Sequence, residues 1–499
     1  MSSGINGVIY NRFLPSEMRA TLRRSCNACA KAKHRCDLRT PHCSRCLKKK
    51  FNCIYANEPL TSSSPDRNDS PPSETSGNGW PAVMNGVEVS TMTLRDGMIT
   101  AKFSETSIGL LNPGNAYLDP FDSYPPTRLP RAIAQRLIHH FLSTIAFQYY
   151  PLDLNVETNP FLVSWWPLAL EDSTLFHVSL QTASLDGELR AQRGFPISEL
   201  LMRDSLSLVR RKIEDSSLAF QDETMNSVVT LAAIEHGKGN VKSSRMHIDG
   251  VKRMVFVRGG INEVKGTSPL TARMVSWVSM LVTGAPQFQT QDDFGFGSGI
   301  GSIPQWQLAS LDPEYMGFNG LDVDPAMSNI ISRLRTIFHE PRLSHLTSTE
   351  LHDLTCYVSH KLLLLPPLSP ANPMRSAISE CLRYALALYM LLLHGTTYYS
   401  HADLASVIMI HLKSHLEALA RLNYVHDPLR IWAISMGMVA GVGTKDHQWF
   451  MDQSRIAKVA LGLQTWEDVL VSLESILWMR TEQLDLFREE WRNILNVRT

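Results

Sequence analysis

Six cysteines packed into the 28 residues from Cys26 to Cys53 hold the clearest chemistry in this chain. The segment reads CNACAKAKHRCDLRTPHCSRCLKKKFNC, placing Cys26, Cys29, Cys36, Cys43, Cys46 and Cys53 in the pattern C-x2-C-x6-C-x6-C-x2-C-x6-C. One unit, CxxC-x6-C, is used twice. A CxxC pair puts two thiolates on one cation, and a third cysteine six residues later returns to it after a turn of helix. Each half then offers three sulfurs where tetrahedral zinc takes four. Two zinc ions have eight ligand positions, which six cysteines fill only if two thiolates bridge both metals. By the pseudo-symmetry of the halves, Cys26 and Cys43, the first of each, are the best candidates for the bridge. A single-zinc knuckle leaves the second half unexplained. A disulfide scaffold calls for a secretory leader, and MSSGINGVIYNRF has no continuous apolar core.

These residues resemble the fungal binuclear zinc cluster (Zn2Cys6) transcription factors closely over residues 23–55. The resemblance implies two short metal-held helices in a domain too small for its own apolar core. It also implies double-stranded DNA as partner, read at CGG-like triplets in the major groove. Pro41, two residues before Cys43, stands where the family has a loop proline. The family's main base reader lies four residues after the second cysteine, which is Lys33 here. Lysine there donates to guanine O6 and N7. Lys31, His34 and Arg35 flank it and are expected to share base and phosphate contacts. Ala30 and Ala32 stand where basic residues are common, and this AKAK form resembles a subgroup that includes regulators of secondary-metabolite pathways. Arg23, Arg24, Arg45, Lys48, Lys49 and Lys50 read as phosphate clamps and a nuclear-import signal.

Charge agrees with an anionic partner for the head. The 499-residue chain is formally neutral, with 48 Lys+Arg and 48 Asp+Glu. Residues 1–55 nevertheless hold twelve Lys/Arg against only Glu17 and Asp37, leaving 36 basic and 46 acidic residues for the rest. The longest strongly apolar run, Tyr384–Leu393, is ten residues, half of the ~20 that span a bilayer. The expectation is a soluble nuclear protein with no membrane partner.

The elements that carry the head divide the chain into a leader (1–22), the zinc domain (23–56), a Ser/Pro-rich flexible linker (57–118) and an all-α regulatory domain (119–499). The linker has too little apolar surface to offset its ordering entropy. It lacks the heptads of a coiled coil between Ile54 and Arg128, which leaves a monomeric binder or a homodimer made through the large domain. Helical periodicity marks about 131–148, 173–191, 198–214, 220–236, 243–257, 375–394, 405–422 and 466–495. Met92–Phe103 alone has strand-like alternation. Asp119–Phe141 and His247–Val264 resemble parts of the fungal-specific transcription factor domain. Within the second, Arg258-Gly259-Gly260 would end a helix with a left-handed cap, Arg258 complementing the helix dipole.

Catalytic signatures are scarce. Gly295–Ser302 (GFGSGIGS) fits neither a dinucleotide nor a nucleophile-elbow pattern and reads as a flexible loop. His411 and His415 lie at i, i+4 without the acidic residue of a metalloprotease. Cys356 and Cys381 read as small buried apolar residues. The chain is therefore expected to be no enzyme but a sequence-specific regulator of RNA polymerase II transcription. By family habit it would be an activator, with the transcription machinery or co-regulators as further partners and a secondary-metabolite gene cluster as target. The rival readings are a zinc-dependent RNA or protein interaction module and a chromatin-tethered enzyme.

Overall fold

The structure, a computed structural model, describes residues 27–34, 43–51, 124–149, 156–309, 321–340, 343–368, 372–424, 426–479 and 484–496. The leader, the linker and Met92–Phe103 lie outside them. The chain divides into two compact units, Met1–Ser90 and Thr91–Thr499.

In the first unit the described residues form two short helices, α1 (Asn27–Lys31) and α2 (Ser44–Lys49), one in each half of the cysteine repeat. Five and six residues are too few for a helix to persist alone in water. What lies between them is sulfur: Cys29, Cys43 and Cys46 are buried, with Ala28 against them.

Of the described residues of the second unit 73% are helical, and none forms a β-strand. Ser173–Ala191 starts where Asp172 accepts from the Leu175 backbone N–H at 2.8 Å, an N-cap that satisfies one orphan donor. Every residue from Thr174 to Leu185 is buried, so this helix runs through the core rather than along its surface. Pro373–His394 is another core helix. Asn372 caps it and Pro373 opens it. It packs against Pro325–His339, Ser348–Leu364, Ala402–Arg421 and Asp427–Ala440. Among the described residues it is the one helix long and apolar enough to cross a membrane, and 83% of its apolar window is buried within the protein.

Three local expectations change. The helix anticipated over 466–495 is two, Trp466–Ile476 and Leu484–Leu495, with Leu477 extended. The freed backbone groups are taken up by distant side chains. Arg335 donates to Ser475 O and Ile476 O, Trp432 Nε1 to Leu477 O, and the Tyr389 hydroxyl accepts from Met479 N. The glycine-rich loop is pinned rather than flexible. Ile300 N donates to Gln289 O at 2.8 Å and Gln291 N to Ile300 O at 2.9 Å, and a Cβ on Gly299 would fall 2.4 Å from Gln289 O. Its glycines permit close backbone approach. Gly259 and Gly260 do carry the positive φ of a helix stop (90° and 111°). Arg258 instead reaches Asp222 at 2.5 Å and the Phe220 carbonyl, tying Val241–Val257 to the start of Asp222–Gly237.

His411 and His415 both stack on Tyr384, at 4.8 and 5.6 Å between ring centres. Cys356 and Cys381 are buried, and burial pushes both thiols up to about 12, so they behave as inert apolar groups.

Candidate metal centre and nucleic-acid interface

Cys43 occupies the N-cap of α2, and its Sγ accepts from the Cys46 backbone N–H at 3.4 Å. The CxxC spacing creates this contact, because the cap residue and the third helical residue are three apart. An N–H aimed at sulfur favours the thiolate that binds metal. Cys29 Sγ, from α1, lies 3.6 Å from Cys43 Sγ, and the metal-binding atoms of Cys29, Cys43 and Cys46 all lie within 4.8 Å of one another. A disulfide would bring two sulfurs to ~2.05 Å. Two thiolates on one tetrahedral zinc, each ~2.3 Å from it, stand ~3.8 Å apart. The observed spacing fits a shared cation, and three soft sulfur donors suit zinc.

Arg45, between the two cysteines of the second CxxC, is half-buried. Its Nη1 points at Cys29 Sγ (3.8 Å) and its guanidinium lies over the Phe51 ring, 5.8 Å from the centre. Arg45, expected among the phosphate contacts, thus has its guanidinium beside sulfur and over an aromatic face. The signal available was its position between two ligand cysteines.

The remaining described basic residues face outward. Lys31, Lys33, His34, Lys48, Lys49 and Lys50 are all exposed. Lys33 lies two residues beyond the end of α1, in a turn with φ of 50°. No carboxylate occurs among the described residues of the head, so none of these groups has a carboxylate partner there. Cys26, Cys36, Cys53, Arg23, Arg24 and Arg35 lie outside the described residues.

A three-cysteine centre with exposed lysines nearby, on a chain with a large helical second unit, suits a protein that holds zinc and meets an anionic partner. Comparison with known families sharpens it. Residues 24–62 match the fungal Zn(2)-Cys(6) binuclear cluster domain, and residues 136–291 match the fungal specific transcription factor domain. Neither is an enzyme family. Comparison with curated proteins and with solved structures returns no match.

Proposed function

We propose that the chain is a nuclear, sequence-specific activator of RNA polymerase II transcription that reads CGG-like half-sites through a two-zinc head. The observation that carries this reading is the set of three mutually close thiols beside exposed lysines that lack a carboxylate partner among the described head residues. Cys26 and Cys43 bridge the two ions in this reading. The place of Cys43 supports it, since its sulfur adjoins Cys29 of the first half and the Cys46 backbone of the second. Lys33 reads guanine edges. Lys31, His34 and Arg35 share base and phosphate contacts beside it, while Arg45, Lys48, Lys49 and Lys50 join Arg23 and Arg24 on the phosphate backbone. The zinc domain spans 23–56 and the regulatory domain 119–499. The AKAK form points to a secondary-metabolite gene cluster as target.

Selection from random duplex oligonucleotides with full-length, zinc-loaded protein tests the reading. Enriched CGG-like triplets, lost on chelation, are expected; enrichment that survives chelation would overturn it. Paired triplets at one spacing would mark a homodimer. Lys33→Ala should abolish the preference for the selected site over scrambled duplex, whereas Lys49→Ala should weaken both alike and flatten the salt dependence. Zinc analysis completes the test: two ions per chain in the parent, with Cys43→Ser losing more than one.

A further inference from the structure

Four non-glycine residues among those described have positive φ, and two of them are the lysines Lys33 (φ 50°) and Lys50 (φ 52°) of the small head. They occupy equivalent places in the repeat, each four residues after the second cysteine of its CxxC. The backbone around them matches as well. His34 N donates to Cys29 O and Phe51 N to Cys46 O, both at 3.0 Å. This is the six-residue closure of a helix end, with lysine at the left-handed position. Glycine suits that position best because it has no Cβ to clash. The larger unit follows the rule at Gly284 (φ 71°) and Gly462 (φ 64°), each capping a helix. Its exceptions, Gln192 and Asn423, are uncharged.

Folding alone would therefore favour glycine at both places in the head. Both lysines are exposed, and no carboxylate among the described head residues is there to pair with them. We infer that Lys50 is the second-half counterpart of Lys33. The two left-handed caps mount one ammonium per CxxC half against duplex DNA, in conformations that weaken the caps themselves. Lys33 addresses base edges. Lys50, at the end of the run Lys48-Lys49-Lys50, addresses phosphate, because dense positive charge matches the backbone rather than a base edge. The inference rests on the DNA-binding reading above.

The test uses full-length, zinc-loaded protein carrying Lys50→Gly, Lys50→Arg or Lys33→Gly. Zinc retention is measured against a chelator, and binding to selected and scrambled duplexes is measured over a salt series. Lys50→Gly should hold zinc at least as firmly as the parent. It should bind both duplexes roughly three- to tenfold more weakly, with a log–log salt slope shallower by about one. Lys50→Arg should restore binding. Lys33→Gly should also keep its zinc but lose the preference between duplexes. Parent-like duplex binding by Lys50→Gly, or zinc loss in step with its weaker binding, would overturn the inference and leave the DNA reading standing. A parent protein with no duplex preference would overturn both.

Discussion

Arg45 shows how one side chain joins metal and surface. Its guanidinium adds a charge-assisted contact to Cys29 Sγ while its flat face covers Phe51. Arg45→Ala should make zinc easier to remove by a few-fold in a chelator titration, and Lys48→Ala, whose side chain is exposed, should not. The comparison of these two variants separates loss of a sulfur contact from loss of charge in general. At this scale the closeness of Cys43 and Cys46 was legible because ligand spacing is local: a CxxC unit can hardly avoid bringing its sulfurs together. The direction of Arg45 was not, because it depends on where Cys29 of the other half comes to rest.

Between elements, the loop from Gln289 to Ala309 is held by buried and half-buried polar groups. Asp293 accepts from Trp306 Nε1 at 3.0 Å, Asn329 Nδ2 at 2.6 Å and Lys361 Nζ at 2.9 Å. Burial acts to raise its carboxyl, but Lys361, Trp306 and Asn329 hold it below the usual carboxylate range. Arg333, itself buried, donates to Trp306 O and Ala309 O. The tightest point is Gly299. Gly299→Ala should destabilise the second unit by about 2–4 kcal/mol, since the obstruction is backbone rather than a movable side chain. Gly187→Ala, in an exposed helix position with nothing within 4 Å of the added carbon, should stabilise by about 0.5–1 kcal/mol. Thermal unfolding of the two variants should shift in opposite directions.

The same scale explains which helices could be read beforehand. Pro196–Glu214 buries Leu201, Met202, Ser205 and Val209 on one face, and Val241–Val257 buries Ile248, Val251, Met254 and Val255, so both show a countable apolar stripe. Pro269–Thr283 and Asp427–Ala440 are apolar on nearly every face, with Leu270 to Val282 buried apart from Arg273, and Leu429 to Val439 buried apart from Arg430. Such segments have no polar side from which a 3.6-residue period can be counted. The interruption at Leu477 was hidden for another reason. Its hydrogen-bond partners, Arg335, Trp432 and Tyr389, are far away in sequence, so no local pattern announces it.

At the level of the whole second unit, buried histidines set the acid limit. His352 Nδ1 and His394 Nε2 lie 2.8 Å apart, both rings against Trp277. Burial, reinforced by Arg273 and Lys265, lowers His352 to about 3, and burial lowers His360 and His401 to about 4. His394 is also lowered, by burial and then by its histidine neighbours. These groups stay neutral in the folded state but take up protons near pH 6.5 once unfolded. The unfolded state therefore binds more protons as pH falls below about 6.5, and stability drops progressively toward pH 4. Asp293, held low, acts in the same direction below its ordinary range. Urea unfolding followed by tryptophan fluorescence from pH 7.5 to 4.5 checks this. Nine of the ten tryptophans lie in the second unit and none lies between Cys26 and Cys53, so the signal follows the second unit. His360→Gln should reduce the slope.

The deep placement of Pro373–His394 bears on how the protein can be dissected. Two of its main neighbours, Ala402–Arg421 and Asp427–Ala440, follow it in the chain. A deletion that stops near residue 400 strips both away and bares a greasy rod of 22 residues to water or to any nearby bilayer. Shortened versions made to map regulatory output would then clump or stick to membranes, and the resulting silence would be mistaken for a missing control region. Point changes on intact protein escape that trap.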